Sequence, residues 1–503
     1  MMISRKGIIP VALTAFVVVI FCACANPASS SSSPSSTGTP TLSLNASKQD
    51  LVIGLSPYQL TATVTPTTAT VTWTSSNTSI ATVSTTGLVT PIAIGSAIIT
   101  ATSGTLTATC TVTSNVFFAT GNAQVSSSNT GNTVPVYWYN GTLMTLPTGT
   151  QTYGAAFGYM VHGTDIYIGG NTRDASSNYT CVYWKNGNLN VLTPPAGVVY
   201  RGGYEQFQLD ASGNTYMRGN FTNTLNGNSY NYIPGYWYNG SFMALSMSLP
   251  AGTATSGSAS NGEYLDTSNG KDDYYLAGYL VDPTTNLQVP VYWKNGVVNV
   301  VPLGSIATSS VNGGAVEAIL PSPDMASLTA LVYGNDAHWN PVPAYVDVVN
   351  GTVTPISTGS YSNGMAWWAW TTSSGDIYAT GEVGNSVNNN FWNSGNAYYW
   401  KNWVITLATP PTLSGASGNS LTCSSLNSLN QIGNNVIFSA TFSNTNGLNS
   451  AVYWIQGGAA TILPVSGYAG GSVQGFGYLN FVPTSASGNG TIGTTINSIR
   501  RTK

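Results

Sequence analysis

The stretch Val136-Tyr-Trp-Tyr-Asn-Gly141 decides the fold, because the chain repeats it. It returns as Val182-Tyr-Trp-Lys-Asn-Gly187, Gly235-Tyr-Trp-Tyr-Asn-Gly240 and Val291-Tyr-Trp-Lys-Asn-Gly296. Looser copies are Ala344-Tyr-Val346 followed by Asn350-Gly351, then Tyr399-Trp-Lys-Asn402, then Val452-Tyr-Trp-Ile-Gln-Gly457. The anchor positions are 138, 184, 237, 293, 346, 400 and 454, which are 46 to 56 residues apart. A period of that length is the mark of a ring of small sheets, not of the shorter-period β-solenoid.

Working outward, Asn-Gly is the preferred pair for a type I′ hairpin turn, because both residues must take φ > 0. Tyr-Trp therefore enters the turn on one strand, and segments such as Val297-Val-Asn-Val-Val301 leave on its partner. Upstream lies a strand ending in glycine, as in Ile166-Tyr-Ile-Gly169 or Ile377-Tyr-Ala-Thr-Gly381, and before it another such as Ala156-Phe-Gly-Tyr-Met-Val161. Each unit is thus four strands. The first copy begins at its second strand, Val116-Phe-Phe-Ala-Thr-Gly121, and the last is followed by a lone first-type strand near Gly471-Ser-Val-Gln-Gly-Phe476. The two ends are expected to complete one shared sheet, which hides edges that would otherwise pair with other chains. The expectation is a seven-bladed β-propeller over 115–503, with eight blades as the alternative if 477–500 add strands. The Tyr-Trp pairs, recurring in nearly every unit, read as core between blades rather than as sugar platforms.

Residues 41–114 read as a β-sandwich of short alternating strands, such as Tyr58-Gln-Leu-Thr-Ala-Thr-Val64 and Ala97-Ile-Ile-Thr-Ala-Thr102. Val71-Thr-Trp-Thr-Ser-Ser-Asn-Thr-Ser-Ile-Ala-Thr-Val83, Gly87-Leu-Val89 and Gly95-Ser-Ala-Ile-Ile-Thr-Ala101 resemble the group 2 bacterial immunoglobulin-like domain. Trp73, Ile80, Val83, Leu88 and Ile98 are its expected core, with Trp73 an anchor and not a binding residue. The resemblance implies a cell-surface setting, often as a stalk, and no activity. The fold class is therefore all-β, an immunoglobulin-like β-sandwich followed by the propeller.

The N-terminus carries an export signal. Arg5 and Lys6 precede an apolar run from Ile8 to Ala23, shorter than the roughly 20 residues of a membrane-spanning helix. The run ends in Phe21-Cys22-Ala23-Cys24, which resembles the lipobox of bacterial lipoproteins although Phe21 stands where leucine is usual. The resemblance implies a signal peptide over 1–23, lipidation at Cys24 and, with Ala at 25, an outer-membrane location. Residues 24–40 are a Ser/Pro/Thr-rich tether. The repeat units themselves resemble those of bacterial surface lipoproteins with Tyr-Trp-Lys-Asn-Gly repeats, which implies architecture and no activity.

Composition narrows function. The 503 residues hold 13 Lys+Arg and 16 Asp+Glu, so 6% are charged, against about 25% in ordinary soluble proteins. With a pI near 5.2 and no basic patch, nucleic acid is not an expected partner. Cys110, Cys181 and Cys423 lie in apolar strand contexts and read as buried thiols. A Cys181–Cys423 bridge is also open. No metal-ligand spacing, cofactor motif or Ser/His/Asp order is visible, and the two histidines are His162 and His338. In so uncharged a chain each rare acid stands out. Counting back from the strand-ending glycines places Glu205, Glu263 and Glu317 at nearly one position in three consecutive units. They read either as solvated carboxylates or as a polar-ligand site. Met365-Ala-Trp-Trp-Ala-Trp370 and Trp392 add aromatics. Strand alternation sets Trp367 on the face opposite Trp368 and Trp370, so Trp367 and Trp392 join the candidate ligand-binding residues. The function expected is binding or adhesion at the cell surface, toward an extracellular glycan or protein. The alternatives are a polysaccharide hydrolase or lyase using those glutamates, and a structural envelope protein.

Overall fold

The computed structural model describes residues 39–479 apart from 56, 66–69, 127–131, 204–205, 224–230, 268–271, 307–312, 323–326, 336–339, 373–374, 385–397, 409–412, 415–419, 433–434, 444–448, 457 and 459. The export signal, Cys24, the tether up to residue 38, Glu205, His338 and Trp392 lie outside the described residues, as does the side chain of Cys423. No helix among the described residues is long and apolar enough to cross a membrane.

The N-terminal strands form a sandwich. Thr72–Ser75 and Gly95–Ser103 pair antiparallel on one side, and Tyr58–Gln59, Ala81–Val83 and Leu88–Pro91 pair on the other. Leu51, Leu60, Ala81, Val89, Ile99 and Val112 are buried at the centre, with Trp73, Ile80 and Val83 packed against them. Two expected core residues are not there: Leu88 is 38% exposed and Ile98 46%, while Val89 and Ile99 are fully buried. Side chains alternate along a strand, so a one-residue slip exchanges the faces.

The sandwich does not end in a linker. The strand Leu106–Gln124 pairs with Gly95–Ser103 in its first half and with Thr133–Tyr139 in its second. The expected boundary at 114/115 thus falls inside one strand. Asn115 Nδ2 donates to the buried Leu51 carbonyl at 3.0 Å, and the Asn115 carbonyl accepts from Ile53 N at 2.8 Å. Val52 packs with Phe117 and Phe476 of the following domain. Hydrogen bonds and buried contacts thus tie the sandwich to the following domain at the joint.

Beyond it, four-stranded antiparallel sheets follow one another. The first after the joint is Tyr153–His162, Asp165–Arg173, Tyr179–Lys185 and Asn188–Leu192, in that spatial order. The same order recurs over 207–244, 257–300, 314–355, 363–407 and 420–462, the last with Leu413–Ser414 added as a fifth strand beside its first. The strand Gly470–Leu479 then pairs antiparallel with Leu106–Gln124, Val473 opposite Gly121, so the last of the described strands completes the sheet that Leu106–Gln124 began. First strands of neighbouring sheets touch each other, while fourth strands carry exposed residues such as Val191, Val297 and Val404. The result is a propeller-like closed ring with first strands innermost.

The repeat motif builds this ring. Trp138, Trp184, Trp237, Trp293, Trp400 and Trp454 are all at most 1% exposed, and Val346 fills the same place. An indole buries much apolar area yet must place one N–H. Trp184 Nε1 donates to Pro147 O, Trp293 Nε1 to Ser246 O and Trp400 Nε1 to Ser357 O, each at 2.7–2.8 Å and each in the preceding unit. Asn140, Asn186, Asn239 and Asn295 hold φ of 47–51°, with glycine following at 76–84°. The asparagines also reach sideways: Asn186, Asn239, Asn295 and Asn402 accept from the backbone N–H of Ile166, Thr215, Tyr274 and Ile377, each at 2.8 Å. Where the motif has lysine, it pairs with the aspartate at or just before the start of the second strand: Lys185–Asp165, Lys294–Asp273 and Lys401–Asp376 at 2.7–3.0 Å.

Candidate functional site

The first strand of a sheet is interrupted at one recurrent point. Its pairing with the second strand slips between Ala156 and Tyr159, Ser258 and Gly262, Val316 and Ala318, Ala366 and Trp368, and Val473 and Gly475. A bulge leaves its extra residue outside the ladder and re-aims that side chain. In two consecutive units the extra residue is Glu317 and Trp367. They are structural equivalents, since Val316 lies opposite Val332 and Ala366 opposite Gly381, each one position along from its motif pairing.

Glu263 sits two residues further along. It faces Leu276, which faces Trp293; Ile319 faces Ala330, which faces Val346; Ala369 faces Ala379, which faces Trp400. Its equivalents are therefore Ile319 and Ala369, not Glu317. The longer bulge of its strand accounts for the offset, which counting from glycines did not include. Proximity survives the offset. A cavity of about 40 Å3 is lined by Gln206, Glu263, Glu317, Ile319, Trp367 and Trp368 from four consecutive units. That is room for a few waters or a small polar group. Gly262 forms part of the wall, and a Cβ there would run into the Glu317 carbonyl of the next strand. The glycine thus permits the close approach that brings the two carboxyls into one cavity.

Trp367 and Trp368 both line the cavity, contrary to the alternation expected of a regular strand, because the bulge falls between them and their neighbours. Trp370 instead stacks on Tyr378, centroids 5.8 Å apart, in the packing between sheets.

The electrostatics centre on Arg218, at the end of Thr215–Arg218 and only 1% exposed. Its guanidinium lies over the Trp368 ring, 5.2 Å from the centroid, and so joins the third unit to the sixth across the inside of the ring. Burial raises the pKa of Glu317 to about 8, against the pull of Arg218. Burial likewise raises Glu263, opposed by Arg218 and by hydrogen bonds from Tyr274 and Gln208. Tyr274 Oη donates to Glu263 Oε2 at 2.5 Å, and Asn261 Nδ2 donates to Glu317 Oε1 at 3.1 Å. Desolvation disfavours the charged carboxylate and the guanidinium favours it, and burial wins. At neutral pH the Glu317 carboxyl holds its proton and can donate a hydrogen bond. The described residues include no group of three or more His, Cys, Asp or Glu able to hold a metal ion.

Of the residues singled out from sequence, Glu263, Glu317 and Trp367 meet in this cavity. Arg218, Gln206, Tyr274 and Trp368 were not among them. A charge one residue before a strand-ending glycine, where other units carry Gly169, Ala277 and Thr380, is the signal that would have found Arg218.

Residues 47–114 match the model of the bacterial Ig-like domain, group 2. No curated protein sequence matches the chain. Among solved structures, a puromycin-hydrolysing peptidase of Mycobacterium tuberculosis is similar at 12% identity and a TM-score of 0.40, covering 68% of this chain and 50% of its own. The chain thus spans about half the length of that peptidase. The six-bladed β-propeller lectin of Aleuria aurantia is 12% identical over 61% of this chain and 94% of its own, TM-score 0.35. A xyloglucanase of Xanthomonas campestris is 14% identical over 64% and 46%, TM-score 0.36. Likenesses this distant carry no argument about activity.

Proposed function

We propose that the chain is a lipid-anchored bacterial cell-surface protein that binds an extracellular ligand, of glycan type, inside a seven-bladed propeller. Cys24 carries the lipid, residues 24–40 are the tether, and the immunoglobulin-like sandwich is a rigid pedestal. Group 2 bacterial Ig-like domains occur in surface proteins, in keeping with an envelope location. The observation that carries the reading is the cavity itself. Buried donors and acceptors from four consecutive units converge there beside two indoles. An array of matrix glycans and proteins, probed with the wild-type chain and with Trp367→Ala, tests it. Signals lost in the variant support a ligand site; a flat array favours a structural envelope protein.

A second reading is a polysaccharide hydrolase or lyase, favoured by two buried carboxyls with raised pKa in one cavity. Turnover of a glycan by wild type and its disappearance in Glu263→Gln or Glu317→Gln would replace binding with catalysis.

A further inference from the structure

Resting on that ligand-site reading, we infer that the cavity selects an uncharged sugar residue, whose ring lies against Trp367 while its hydroxyls enter between Glu317, Glu263 and Gln206. Size sets the first limit. About 40 Å3 admits a few hydroxyl groups and not a whole saccharide, so the ring must remain at the mouth. Trp367 is half-buried there, offering part of its surface, and a bulge holds it in place.

Charge sets the second limit. Arg218 is buried against Trp368, which lines the cavity, and its charge pulls on both glutamates, so a cation already stands near the two carboxyls. A uronate would have to bury its carboxylate beside the carboxyls of Glu263 and Glu317. An amino sugar would bring its ammonium up to Arg218. Either ligand charge must also shed water into a cavity whose polar groups are mostly engaged, with Asn261 on Glu317 and Tyr274 on Glu263. Desolvation acts against either charge, and Arg218 also acts against the ammonium. A hydroxyl meets neither cost. It donates to a carboxyl or amide oxygen and accepts from a protonated carboxyl or an amide N–H, groups that Glu263, Glu317 and Gln206 supply.

The test is calorimetric titration of the full chain with a neutral methyl hexoside series, the matching methyl uronates and the matching amino sugars. The expected result is binding of at least one neutral member, both charged analogues weaker by about tenfold or more, and loss of binding in Trp367→Ala. Trp367→Phe should retain part of the affinity, which separates a lost platform from a misfolded chain. Equal or tighter binding of a charged analogue, still dependent on Trp367, would overturn the inference and leave the ligand site standing. So would a Trp367-dependent ligand that is not a sugar. If nothing binds in a Trp367-dependent way, both readings fall together.

Discussion

Trp138 donates its indole N–H to the carbonyl of Pro464, 2.7 Å away and 326 residues later in the chain. It is the same contact that Trp184 makes to Pro147, used here between the last unit and the first. The ring is therefore closed twice, by the strand Gly470–Leu479 and by the contact that also locks the joints at Trp184, Trp293 and Trp400. Trp138→Ala should cost about 3–5 kcal/mol, as for other buried tryptophans. Because its cavity opens the closing joint, it should also expose the edge of Leu106–Gln124 to other chains. Denaturant titration with light scattering should show aggregation in Trp138→Ala that an equally destabilised Trp293→Ala lacks.

The turn asparagine does two jobs that two substitutions separate. Asn295 holds φ at 51°, accepts from Tyr274 N and donates to Asp273 at 2.7 Å. Asn295→Gly keeps the conformation and loses the bonds, which should cost about 1–3 kcal/mol. Asn295→Ala loses both and should cost roughly 1 kcal/mol more. Unfolding midpoints of the two variants measure the difference.

The three lysine–aspartate pairs should not be equal. Asp273 is 10% exposed at its side chain, whereas Asp376 is 30% exposed. Lys294→Met leaves a nearly buried carboxylate short of its cation, while Lys401→Met removes a screened surface pair. The first should cost about 1–3 kcal/mol and the second under about 1 kcal/mol, with only the second effect fading in high salt.

Stability should fall as pH rises through neutrality. Glu382 is 2% exposed, its two carboxylate oxygens are buried without hydrogen bonds, and burial raises its pKa from 4.5 to about 7. Its folded form prefers the proton, so the stabilisation is complete below the ordinary value and is lost as pH climbs from 4.5 to 7. Glu382→Gln should flatten that loss and raise stability at pH 8 by roughly 2 kcal/mol. Thermal melts across pH 4 to 9 (about that range suffices) compare the two chains.

Much of this was legible in the sequence because the repeats carry their own geometry. Asn-Gly fixes a turn, and a tryptophan every 46 to 56 residues fixes a packing joint. Where adjacent residues are both apolar, as at Ile98-Ile99, alternation cannot choose a face, and the wrong one was favoured. The site was legible only in part because bulges add residues without changing composition. One bulge put Trp367 and Trp368 in the same cavity, and a longer one moved Glu263 off the position of Glu317. Arg218 was hidden because its partners come from other units and depend on ring closure.

The most direct test of the central claim is a crystal structure of the chain grown with the neutral methyl hexoside that binds best. The account predicts the sugar ring against Trp367, with hydroxyls within hydrogen-bonding distance of Glu317. A sugar seated elsewhere on the ring or on the sandwich, with this cavity holding only water, would contradict it.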